Sequence, residues 1–154
     1  LDIVRYFFIM RSMNTHLDFD LNLAKDQSDK NPVFYLQYAY ARICNIIRHG
    51  EGQNYKFSDD FDATLLNQSS EIKLLKLMSN FPTMMETALD TLEPQIIANY
   101  LQELASSFHK FYGNCKVITE DKNISQARLG LINGTKIILS TGLSILGISA
   151  PEKM

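Results

Sequence analysis

The chain has 154 residues, of which 45% are hydrophobic and 21% charged, with a formal net charge of −2. Those are the proportions of an ordinary soluble globule, long enough for one compact domain that buries roughly two-thirds of its unfolded surface. No apolar run approaches the roughly 18 residues of a membrane span, and YFFIM near the front, broken by Arg5 and Arg11, lacks the basic leader and cleavage site of a signal peptide.

Taken in order, the first segment, Ile3 to Met13, is very apolar and should be buried or docked on something. HLDFDLNLAKDQSDK follows, its acids alternating with Leu17, Phe19, Leu21 and Leu23, as a short extended turn entering a small helix. Asn31-Pro32 starts the next helix, because asparagine can cap free amides and proline at the first helical position forfeits no hydrogen bond. This helix runs to about His49, where Gly50 and Gly52 can take left-handed conformations that stop it. At about 100° per residue, Leu36, Tyr40, Ile43 and Ile47 gather on one side as core, and Tyr35, Tyr38 and Arg42 gather on another. GEGQNYKFSDDFD is a loop. A helix from Ser69 to Asn80 carries Ile72, Leu75 and Met78 inward, and another spans Pro82 to Thr91. Pro94 opens the strongest amphipathic helix, in which Ile97, Leu101, Leu104, Phe108 and Phe111 recur at the three- and four-residue steps of a lengthwise packed helix. Gly113-Asn114 ends it. A last helix from Ser125 to Leu146 gives way at Gly147 to a tail in which Pro151 forbids helix. Strand signals are too few for a sheet, so the fold class is all-α, a helical bundle.

Groups able to do chemistry are scattered. Cys44 and Cys115 form no CxxC pair and read as buried thiols in a reducing, cytoplasmic setting. His16, His49 and His109 lie in no metal-ligand spacing, so no metal site is expected. Asp18 and Asp20 beside His16, and the loop acids Asp59, Asp60 and Asp62, read as capping or solvated carboxylates, and no catalytic residue is assigned. Charge, however, is segregated. Residues 31–49 hold Arg42 and Arg48 and no acid, and residues 122–148 hold Lys122, Arg128 and Lys136 and no acid, whereas residues 50–121 hold five basic and eleven acidic side chains. Two acid-free segments, if adjacent, would make the positive surface that a phosphate backbone requires. The stripe of Tyr35, Tyr38 and Arg42 then has two readings. Its rings and guanidinium can stack and hydrogen-bond unpaired RNA bases, or they can pack on a neighbouring helix.

DIVRYFFIMRSMNTHLDFDLNLAKDQSDKNPVFYLQYAYARI, ELASSFHKFYGNCKV and LGISAPEKM together resemble the junction and carboxy-terminal anticodon-binding bundle of arginyl-tRNA synthetases, a class I family. The resemblance spans essentially the whole chain, weakest from Gly50 to Glu93. It implies a parent enzyme that joins arginine to its tRNA with ATP and Mg through an arginyl-adenylate. The HIGH and KMSKS signatures of that chemistry do not occur here, and Leu1 in place of Met fits a piece of a longer polypeptide. This part would then bind tRNA without catalysis or a cofactor of its own, residues 1–30 being the end of the catalytic module and residues 31–154 the bundle. Tyr35, Tyr38, Arg42 and Met154 match the family's anticodon-contacting positions. Phosphates would fall to Lys122, Arg128, Lys136 and Lys153, in a groove between the helices starting at Asn31 and Ser125. Lys153 stands where the family often has arginine, which keeps the charge and loses the planar fork. At the front, Ile3 and Val4 replace the Ala and Leu of the family's DALR motif, with Asp2 and Arg5 retained, a packing change with little bearing on RNA. A monomer is expected, unless the apolar front is left uncovered and pairs two copies. A helical protein-interaction module, or the bundle of another class I synthetase such as the cysteinyl enzyme, are the alternatives.

Overall fold

The computed structural model describes residues 1–11, 20–55, 57, 58 and 60–154. The end of the first predicted segment, the turn carrying His16 and Asp18, and Asp59 lie outside the described residues. Among the described residues every regular element is helical. Seven α-helices follow in order: α1 (Asp2–Ile9), α2 (Leu21–Lys25), α3 (Pro32–Gly52), α4 (Ser69–Ser79), α5 (Phe81–Thr91), α6 (Gln95–Asn114) and α7 (Lys122–Ile145), with a single 3-10 turn at Ala63–Leu65.

The long helices α3, α6 and α7 pack on one another around one core, which α4 closes against α6 and α7 and α5 extends along α6. Leu36 and Ile43 of α3, Leu101, Leu104, Phe108 and Phe111 of α6, and Ile132 and Leu139 of α7 are wholly buried, so the predicted stripes of α3 and α6 are the ones the core uses. Both cysteines are buried free thiols. Tyr6 anchors α1 in the same core, its hydroxyl accepting from Gln102 Nε2 at 2.9 Å, and burial pushes its pKa up to about 12. Asn31 caps α3 as expected, its side-chain oxygen accepting from the amides of Val33 and Phe34.

Two boundaries and part of one helix face differ from expectation. Gly50 does not stop α3; it stays helical and buried against Ile118 and Tyr55, and Asn54 takes the left-handed turn at φ 63°. The last helix begins three residues early because the Asp121 carboxylate caps Asn123 and Ile124, at 2.8 and 3.3 Å. Ser125, expected to open that helix, is buried and donates to the carbonyl of Asp121. In α4 Leu75 and Met78 pack against the core as expected, but Ile72 does not. Ile72 is exposed, while Leu74 and Glu71 are wholly buried. Sequence pattern passes over Glu71 because a buried carboxylate is tolerable only with a partner, here Arg128 Nε at 2.7 Å on α7.

Replacing Arg128 by Met should therefore lower stability by about 3–5 kcal/mol, since it strands the Glu71 carboxylate in the interior. Urea unfolding would measure this, and the double variant Arg128→Met, Glu71→Leu should recover part of the loss.

Candidate nucleic-acid interface

Once α7 covers the Leu36–Ile43 stripe, the opposite side of α3 is left to the end of α6 and to the chain's final segment. Tyr38 is 38% exposed there. Arg42, one turn on, donates from Nη1 to the Tyr38 hydroxyl at 2.6 Å, and its guanidinium carbon lies 4.7 Å from the ring centroid of Tyr112 on α6. A cation held between two phenol rings keeps a face and a donor fork in a fixed orientation. Asn45 and His49 continue this row towards the end of α3, and with Tyr38, Arg42, Tyr112 and Met154 they line a cleft of about 850 Å³.

Tyr35 turns the other way. It is half-buried, its ring 5.0 Å from that of His109 on α6, and it lines a second cleft with Phe34, Tyr38 and His109. His109 also lies 5.9 Å from Tyr38 at an interplanar angle of 26° and 5.4 Å from Phe108. Its Nε2 is buried without a hydrogen-bond partner. Burial, and then the positive charge of Arg42, hold the His109 pKa below the usual imidazole value, so the ring is neutral at pH 7. Phe34 stacks parallel to Tyr38 at 6.3 Å, and the second, shallower cleft opens on that side.

Met154 reaches the cleft because the tail beyond α7 folds back across α3. Gly147 adopts φ +67°, and Arg5 Nη1 donates to its carbonyl. Two residues on, the Ser149 amide donates to Asp2 Oδ2 at 3.0 Å, and Gln37 Nε2 donates to the Ser149 carbonyl at 3.0 Å and to Asp2 at 3.2 Å.

The cationic candidates separate. Arg128 leaves the phosphate-binding set, because its guanidinium is spent on Glu71 and on the Lys116 carbonyl at 2.7 Å. Lys136 sits with Nζ 5.8 Å from the Tyr40 ring centroid, on the core-side stripe of α3 and away from the cleft. Lys122 is exposed at the start of α7, and Lys153 is exposed next to Met154. The cleft thus lies between α3 and the α6 end with its following segment, not between α3 and α7 as expected; α7 is committed to the apolar stripe. Sequence reasoning missed Tyr112 and Lys116, both in the cleft wall, and Asn45 and His49. The last two were legible, since 38, 42, 45 and 49 recur at helical spacing. Tyr112 carried no signal beyond its place on α6. Among the described residues there is no cluster able to hold a metal, and no helix is long and apolar enough to cross a membrane.

Residues 36–154 match the model of the DALR anticodon binding domain. The chain is 45% identical over 99% of its length to an arginine–tRNA ligase of Salinibacter ruber, and 48% identical over 100% to one of Bacillus velezensis, covering 27% and 28% of those proteins. It superposes on Thermus thermophilus arginyl-tRNA synthetase with a TM-score of 0.85 at 27% identity, over 99% of this chain and 26% of that one. The chain therefore spans only about a quarter of the length of the proteins it resembles.

The electrostatics of the cleft can be read from His109. Its NMR titration midpoint should fall below about 6.5, and Arg42→Gln should raise it by removing a nearby positive charge. A depressed imidazole pKa contributes stability that is complete above the unfolded value and is lost as pH falls through it towards the folded one. Unfolding free energy measured from pH 7 to 5 should decline accordingly, and by less in His109→Phe.

Proposed function

The chain belongs to the DALR anticodon binding domain family, and from that premise we propose that the cleft on α3 receives the anticodon loop of an arginine tRNA. The observation that carries this is convergence: Tyr38 and Arg42 of α3 line one cleft with Met154, more than 100 residues away in sequence, and with Tyr112 and Lys116. An unstacked base can lie on the exposed face of Tyr38 or Tyr112 while the Arg42 fork, the Asn45 amide and the Met154 main chain meet its edges. Lys116, Lys122 and Lys153 supply charge for phosphates. Those contacts set affinity and its salt dependence, and the base contacts set identity. Tyr35 acts indirectly, by packing His109 beneath Tyr38.

By the same reading the parent protein attaches arginine to its tRNA through an arginyl-adenylate, drawing on ATP and Mg in a catalytic module outside this chain. Residues 1–30 join that module to the bundle at residues 31–154. The bundle works in the cytoplasm as a monomer, with no catalytic residue or cofactor of its own.

Filter binding of arginine tRNA tests the assignment. Tyr38→Ala should cost about 1–3 kcal/mol, the range for loss of one stacked base, and Arg42→Ala a similar amount. The logarithm of the binding constant should fall linearly with that of salt concentration. Unchanged binding by folded variants, or an affinity indifferent to salt, would point instead to a protein partner and refute the proposal.

A further inference from the structure

The chain starts LDIVR, and its two polar side chains, Asp2 and Arg5, reach residues more than 140 positions away in sequence. Arg5 donates to the Gly147 carbonyl. Asp2 Oδ2 accepts from the Ser149 amide at 3.0 Å, the Ser149 hydroxyl at 2.5 Å and Gln37 Nε2 at 3.2 Å. Between them Ile3 packs against the core, so the intervening residues seat α1 while the polar ends grip the tail.

We infer that Asp2 and Arg5, with Gln37, are positioning residues of the RNA cleft, acting through the tail that carries Met154. This rests on the reading of the cleft as an RNA site. Beyond Ile148, which is buried and tied to the Leu143 carbonyl, the tail's only other polar tie among the described residues is an exposed Arg48–Glu152 pair at 3.9 Å. Exposed pairs of that length hold little. Hydrogen bonds to a carboxylate are roughly twice as strong as neutral ones, and those from Ser149 hold the Asp2 carboxyl below the usual carboxylate range. The lever is short. Met154 lies five positions beyond Ser149, within about 18 Å of it even at full extension, so holding Ser149 confines Met154 to that radius and starts the tail along α3 towards Arg48. Fixing it before RNA arrives removes an ordering cost from binding. The Asp and Arg that open the chain thereby have a task at the opposite end of the sequence.

The test needs two readouts on the 154-residue chain. Hydrogen exchange at the Ser149 amide, followed by NMR, should accelerate at least about tenfold in Asp2→Ala, the scale of losing a hydrogen bond to a charged group. Unchanged exchange overturns the inference. Binding of an anticodon stem-loop of arginine tRNA should weaken about tenfold in Asp2→Ala and in Arg5→Ala, and Arg5→Lys, which keeps a cationic donor, should restore most of it. In a chain shortened to end at Ile148, with an unaltered melting temperature, the same alanine substitutions should cause no further loss. Equal losses in long and short chains would mean that the residues serve the fold and not the tail, and would sink the idea. If exchange accelerates but shortening leaves binding intact, the grip is real and the role of Met154 in the RNA reading is what fails, taking the positioning role with it.

Discussion

Everything in this molecule follows from how α3 divides its circumference. A helix in a small bundle can bury one stripe completely, and on α3 that stripe is Leu36, Ala39, Tyr40 and Ile43, clamped between α6 and α7. Burying those side chains is worth a few kcal/mol each for the larger ones, which leaves no freedom for α3 to rotate. A rotation of one residue's worth would expose Leu36 and bury Arg42. The register that protects the core is therefore the register that presents Tyr38, Arg42, Asn45 and His49 to the cleft, and the site's geometry is a by-product of the core's.

Within the cleft, the side chains are held before any partner arrives. Arg42 is fixed by the Tyr38 hydroxyl and the Tyr112 ring, and Tyr38 by stacking on Phe34 and on a neutral His109. A protonated imidazole there would set a second cation near the guanidinium, with burial already opposing its charge. Keeping His109 neutral leaves Arg42 as the cation held between the Tyr38 and Tyr112 rings. The cost is that a ligand edge must compete with, or add to, the bond that Arg42 already makes to Tyr38. Rigid rings lose little entropy on binding, so the arrangement favours selectivity for flat, unstacked groups over indiscriminate anion capture.

Most of the architecture was legible because periodicity reports burial directly. Ile97, Leu101, Leu104, Phe108 and Phe111 were named from spacing alone and all are buried; Asn31-Pro32 and Gly147 marked real ends because capping and left-handed geometry are local properties. Failures came where a distant residue decided the outcome. Glu71 goes inside because Arg128 is waiting on α7, and Ile72 beside it is left exposed. That pairing also withdraws from the surface a cation that the charge count had placed there. Asp121 outcompetes Ser125 as a cap because Ser125 is needed in the interior. Tyr35 and Tyr38, equivalent by spacing, both pack on His109, but only Tyr38 also reaches Arg42 and the larger cleft. A single sequence holds periodicity but not neighbours.

The cleft's last wall comes from the far end of the chain, and this sets how the site must assemble. Contacts between residues 5 and 147, or 2 and 149, carry the largest loop-closure cost in the fold if formed first. They become cheap only after α3, α6 and α7 have brought the two ends together through the core. Since Tyr6 of α1 is buried among α3 and α6 residues while the tail bonds are exposed, the tail is the part whose loss costs the fold least. Opening it beyond Ile148 requires the release of a few surface hydrogen bonds and of the packing of Ala150, and none of the buried stripe. The wall bearing Met154 is thus tied to the bundle by less buried surface than the helices are to one another. That separation of stabilities lets a segment seated on the core only through Ile148 and Ala150 complete a cleft whose opposite wall, α3, is locked by the buried stripe.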